Sequence, residues 1–139
     1  MNPQDSSQFY YCFTKLGFVG DGMFYKYVQK AVTKTIRSFE GPHLRLMFYK
    51  FDHADETRLN RGVRGRLIEH LRYLIRENQL KGYDAYNIYL HTQRLAYEPT
   101  QRHDYVIDMT GEEKEHKEYK YHDIHIELRN YLEKIKYFN

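Results

Sequence analysis

Between Phe24 and Phe39 the apolar residues Phe24, Tyr27, Val28, Ala31, Val32, Thr35, Ile36 and Phe39 return every third or fourth position. Lys26, Lys30, Lys34 and Arg37 return at a similar period on another side. The spacing predicts an amphipathic helix with one apolar and one basic face. Its apolar face must be covered, either by the rest of the chain or by another subunit. Gly17, Gly20 and Gly22 break the chain before this segment, and Gly41-Pro42 stops it. If a compact core begins at His43, residues 1–41 form an N-terminal extension and residues 42–139 the main domain.

Downstream, Leu44, Met47 or Phe48, and Phe51 suggest a strand from about His43 to Phe51. Asp52 to Thr57 supplies a polar turn, and Val63, Leu67, Leu71, Leu74 and Ile75 mark a long helix ending near Asn78 to Gly82. Tyr86, Ile88 and Leu90 alternate with polar neighbours as a second strand, and Tyr105, Ile107 and Met109 alternate as a third. Tyr119 to Ile126 is compatible with a fourth, before a last helix on Leu128, Tyr131, Leu132 and Ile135. The first eight residues are polar and expected to be loose, with Gln8 to Phe13 extended. The resulting order after the amphipathic helix, β-α-β-β-β-α, is the connectivity of an α/β, thioredoxin-like mixed sheet with helices packed on it.

Composition narrows the function. With 139 residues the chain fits one domain, and no run approaches the roughly 18 apolar residues of a spanning helix, so no integral membrane segment is expected. A lone cysteine, Cys12, supplies neither a redox pair nor a four-cysteine zinc site. The net charge is only +3, but the basic residues are clustered. From Arg58 to Arg102 there are nine lysines and arginines against four acids, whereas Glu112 to Asn139 carries six against seven. The 15 tyrosines, with no tryptophan, suit surfaces that a partner covers.

Certain residues resemble a known family. Asn60-Arg61-Gly62-Val63-Arg64, followed in step by Leu71, Leu74 and Asn78, is similar to the Ser-Arg-Gly-x-Arg helix start and closing Asn-Pro of a small thioredoxin-like family. That family comprises mitochondrial ribosomal proteins of both subunits and an accessory subunit of respiratory complex I. Asn87-Ile88-Tyr89-Leu90 resembles its second strand, and Pro99 with Tyr105 its Pro-x5-Tyr element. Gly20-Asp21-Gly22 and Tyr25-Lys26-Tyr27-Val28-Gln29 resemble the Gly-x-Gly and Tyr-Val-Gln of the large-subunit member. Arg66 stands where the family has an aromatic residue and Gln79 where it has proline. The resemblance implies a mitochondrial matrix protein without catalytic site or cofactor, a structural constituent of the ribosome, with the large subunit favoured. Its implied partners are ribosomal RNA and neighbouring ribosomal proteins, and no stand-alone homo-oligomer is implied. The alternative within the family is a complex I accessory subunit.

The residues point the same way. Arg58, Arg61, Arg64 and Arg66 crowd the start of a helix whose free amides already carry partial positive charge, a conflict that an RNA phosphate would relieve. Arg72 extends the set. Asp55, Glu56 and Glu69 are the internal competitors for these charges. The ridge of Lys26, Lys30, Lys34 and Arg37 fits phosphates, anionic lipid, an import signal or simply the wet face of its helix.

Other constellations are weaker. His116, Glu118, His122 and His125 lack the spacing of a metal site, since an i,i+3 pair on a strand faces opposite ways. Asp104, Asp108, Glu112, Glu113 and Lys114 imitate the acids and lysine of a metal-dependent nuclease, the remote enzymatic alternative, but border a charged loop. Gly17 to Gly22 lacks the lysine and preceding strand of a phosphate loop.

Overall fold

The computed structural model describes residues 1–17, 22–53, 59–97, 105–107, 113–115 and 123–138. Six α-helices dominate them: α1 (Pro3–Lys15), α2 (Gly22–Thr35), α3 (Gly41–Met47), α4 (Arg61–Arg76), α5 (Gly82–Leu90) and α6 (Asp123–Lys134). Short 3-10 turns at Ile36–Ser38 and Gln93–Tyr97 follow α2 and α5. Tyr105–Ile107 (β1) pairs antiparallel with Glu113–Glu115 (β2) as a two-stranded hairpin. The expected thioredoxin-like mixed sheet is therefore corrected to a helical fold, in which α1 packs on α2 and α3, α5 on α3 and α6, and α4 on α2, α3 and α6.

Each misassigned segment has a physical reason. Leu44, Met47, Phe48 and Phe51 are all fully buried, and their i, i+3, i+4, i+7 spacing belongs to a helix and its exit turn. The Glu40 N–H donates to His43 Nδ1 at 3.0 Å, and proline lies in the first turn, so Gly41-Pro42 both stops α2's extension and starts α3. At Tyr86 to Leu90 the expected alternation would bury every second residue. Instead Ala85 and Ile88 are fully buried and Leu90 is exposed, which is a helical stripe. The N-terminal residues expected to be loose or extended form α1, because Asn2 Oδ1 accepts from the Asp5 N–H at 2.8 Å and Pro3 fits the first turn. Ser6, Ser7 and Tyr10 are buried on one side of α1, the small serines allowing close approach. Residues 123–126, expected as the end of a fourth strand, open α6; residues 119–122 lie outside the described residues.

The helices predicted from Phe24, from Val63 and from Leu128 are present as α2, α4 and α6. Asn60 caps α4, its Oδ1 accepting from Val63 N–H at 2.9 Å. Asn78 ends α4 with φ 55°, and the Gln79 N–H reaches back to the Leu74 carbonyl at 2.9 Å, closing the helix with a left-handed residue. The apolar face of α2 packs inward: Tyr25, Val28 and Val32 share one buried cluster with Tyr10, Leu44, Leu67, Leu71, Ile88 and Leu128. Among the described residues no helix is long and apolar enough to cross a membrane.

Candidate nucleic-acid interface

The start of α4 is fastened to the middle of α2. The backbone N–H of Asn60 donates to the side-chain Oε1 of Gln29, which is itself buried. Because Gln29 faces inward, Lys26, Lys30 and Lys34 stand outside it, and with Thr33, Asn60 and Val63 they line a groove of about 600 Å³. The lysine ridge therefore runs beside the N-terminus of α4, whose first-turn amides add partial positive charge.

A second groove of about 490 Å³ opens on the next flank of α4, lined by Ile36, Arg37, Arg66, Glu69, His70 and Tyr73. His70 Nε2 lies 2.7 Å from the Phe39 carbonyl oxygen, which holds the chain leaving α2 against α4 and brings Arg37 to Arg66. The His70 and Tyr73 rings are nearly parallel, at 20°, with centroids 6.0 Å apart, and Tyr73 is exposed. Cations and an aromatic pair thus share one groove.

The sequence-predicted cations divide into three groups. Lys26, Lys30, Lys34, Arg37 and Arg66 are exposed, and among the described residues none of them pairs with a carboxylate. Arg61, the first residue of α4, is exposed as well. Arg64 and Arg72 turn inward. Arg64 is only 8% exposed, with its guanidinium 3.9 Å from the centre of the Phe51 ring, and Arg72 Nε lies 2.6 Å from Glu127 Oε2. Arg58 and the competitors Asp55 and Glu56 lie outside the described residues. Glu69 is the acid that remains among the lining groups of the second groove.

Three contributors were missed by sequence reasoning. His70 and Tyr73 fall four and seven positions after Arg66, a helical repeat that places all three on one face. Gln29 had no comparable signal, since a glutamine inside an apolar pattern is indistinguishable from a surface one until its partner is known. A third cleft, about 830 Å³ between α4 and α6, collects Arg76, Lys134 and Asn130 around the Arg72–Glu127 pair.

Groups considered for chemistry lead elsewhere. His125 stacks on Tyr89 with centroids 4.3 Å apart, and its Nδ1 is 3.1 Å from Thr92 Oγ1, so it packs α6 on α5. Cys12 is exposed on α1. Among the described residues no group of three His, Cys, Asp or Glu could hold a metal ion. Asp104, Asp108, Glu112, His116, Glu118 and His122 lie outside the described residues. No protein-family model, curated protein or solved structure matches the chain.

Proposed function

We propose that the protein is a non-catalytic RNA-binding protein that carries an RNA backbone along the α2–α4 face. The observation behind this reading is the set of exposed cations, Lys26, Lys30, Lys34, Arg37 and Arg66, which two separate helical segments place on the flanks of α4 without a carboxylate partner among the described residues. Cations left unneutralised by their own fold release counterions when they meet phosphates, which favours binding of a polyanion. The His70–Tyr73 pair adds ring faces on which an unpaired base can stack. Contacts of this kind position an RNA without reading its sequence.

The setting that fits best is a ribosome, and the motif residues from Tyr25 to Gln29 and from Asn60 to Arg64 favour the mitochondrial large subunit. Among the described residues the fold is helical and not the thioredoxin-like frame of that family, so this setting rests on the motifs alone, whereas RNA binding rests on the basic face. The test is filter binding of a structured ribosomal RNA fragment across a salt series, together with sedimentation of a mitochondrial fraction with and without ribonuclease. Binding whose logarithm falls linearly with log salt, and ribonuclease-sensitive migration with a ribosomal subunit, are expected. RNA binding that is unchanged in a Lys30→Ala, Lys34→Ala, Arg66→Ala variant overturns the assignment of the face, and ribonuclease-insensitive migration with an inner-membrane complex overturns the ribosomal setting.

A further inference from the structure

Among the described residues that line the groove of Arg37, Arg66, His70 and Tyr73, Glu69 is the one acid. It is exposed, and Arg66 and Arg72 stand three positions to either side of it on α4. Its carboxylate nevertheless makes no ion pair or hydrogen bond among the described residues. On a track for phosphates such a group repels the backbone. Its neighbours give it another use. α4 places Glu69 four positions and His70 three positions before Tyr73, so the two flank the tyrosine. His70 Nε2 is held 2.7 Å from the Phe39 carbonyl oxygen, and its ring lies nearly parallel to that of Tyr73. His70 therefore fills one side of Tyr73 and Glu69 stands on the other, while Tyr73 stays 45% exposed.

An exposed ring, two cations and a carboxylate with unused oxygens thus meet in one groove of about 490 Å³. The rings of a duplex are already stacked and paired, so only an unpaired base has both a free face and a free edge to offer here. Stacking accepts any base. The carboxylate is more selective, because it only accepts hydrogen bonds and does so with two oxygens side by side. Adenine and cytosine each present one amino group beside an acceptor nitrogen, and uracil presents one N–H between two carbonyls. Each would set an acceptor against a carboxylate oxygen. Guanine presents two adjacent donors on its Watson–Crick edge, N1–H and N2–H, one for each oxygen.

We infer that this groove takes an unpaired guanine of an RNA strand, with Tyr73 stacking on the base, Glu69 accepting from N1–H and N2–H, and Arg37 and Arg66 meeting the flanking phosphates. The inference rests on the RNA reading and adds base selectivity to it. Lys26, Lys30 and Lys34 hold a backbone without reading its sequence, and Glu69 reads one base. The test is fluorescence anisotropy of the full chain with labelled short oligouridylates whose central base is G, A, C or U. The guanine oligonucleotide is expected to bind at least about fivefold more tightly than the other three.

Glu69→Gln keeps the size of an exposed side chain, so its helical circular dichroism should match the parent. It should erase the guanine preference while weakening binding of none of the other three oligonucleotides. Tyr73→Ala should weaken all four by about fivefold. Equal binding of the four by the parent overturns the inference and leaves the RNA reading standing. A guanine preference that survives Glu69→Gln, or a Glu69→Gln variant that binds all four more tightly by one common factor, shows that Glu69 acts only as a repelling charge and overturns it as well. Displacement of the guanine oligonucleotide by an equal concentration of guanosine monophosphate overturns the strand assignment in favour of a free nucleotide. Absence of binding to every oligonucleotide and to the ribosomal RNA fragment overturns the RNA reading and this inference together.

Discussion

The guanidinium of Arg64 lies over the Phe51 ring, 3.9 Å from its centre, while Arg66, two residues on, is exposed in the groove that Arg37 shares. Two arginines of one cluster therefore have different work. Arg64→Ala is expected to lower stability by about 1–3 kcal/mol, through a lost desolvated cation–π contact and lost packing of its stem. RNA affinity of the folded variant should stay within about twofold. Arg66→Ala should leave stability within about 0.5 kcal/mol and reduce the slope of log affinity against log salt by roughly 0.7 for a single strand. Urea unfolding and salt-series filter binding check the pair, and an equal effect of both substitutions on RNA affinity would contradict it.

Gln29 fixes where the lysine ridge lies, because its side chain accepts the Asn60 N–H at the start of α4. Gln29→Leu removes that acceptor and leaves a backbone donor without it, at a cost of about 1–3 kcal/mol. Asn60→Ala removes the cap on Val63 N–H and should cost about 1 kcal/mol. Faster hydrogen exchange of the first-turn amides of α4 in both variants is the expected readout, and unchanged exchange would sink the assignment.

A Cβ at Gly41 would lie 2.5 Å from Asp84 Oδ2, and the Asp84 side chain is only 6% exposed. The first turn of α3 therefore has room for this carboxylate only because residue 41 is glycine. Gly41→Ala should destabilise by about 1–3 kcal/mol through overpacking. In an Asp84→Ala background the same change should cost less than about 1 kcal/mol, a coupling that a double-mutant cycle measures directly. Additive effects would show that the contact is not the cause.

His91 and His125 sit where α3, α5 and α6 meet, and burial pushes the pKa of both below the ordinary 6.5. For His91, nearby His53 and Lys50 act in the same direction as burial and Asp52 opposes them; for His125, Arg129 acts with burial and Asp52 against it. The folded state thus binds fewer protons than the unfolded state as pH falls through 6.5. Stability should be full above about pH 7 and fall below it, with Tm dropping by roughly 2–5 °C between about pH 7 and pH 5.5. A His91→Gln, His125→Gln variant should flatten that stretch of the profile. A Tm that rises on acidification across the same range would contradict the sign.

The α2, α4 and α6 patterns were legible because each repeats at helical period over several turns, with glycines before α2 and Gly41-Pro42 after it as breakers. The basic character of two segments was legible for the same reason, since period alone places Lys26, Lys30 and Lys34 on one side. Shorter segments were not. Gly41–Met47 and Gly82–Leu90 are rich in bulky and aromatic residues that suit a strand equally well, and two turns contain too few periods to separate the alternatives.

What the sequence by itself determined is therefore the long amphipathic helices, the end of α4 near Asn78, and the supply of cations around them. Tertiary structure decided the rest. The short segments became α3 and α5 because Leu44, Met47, Phe48, Ala85 and Ile88 are buried together in the core only as helices. It also decided which arginines face water. Arg64 and Arg66 are alike in sequence, but Phe51 packs beneath one and leaves the other in an open groove. The long-range bonds from Gln29 to Asn60 and from Phe39 to His70 bring two basic segments to one helix. Those contacts join residues separated by 31 positions, so no local pattern could carry them.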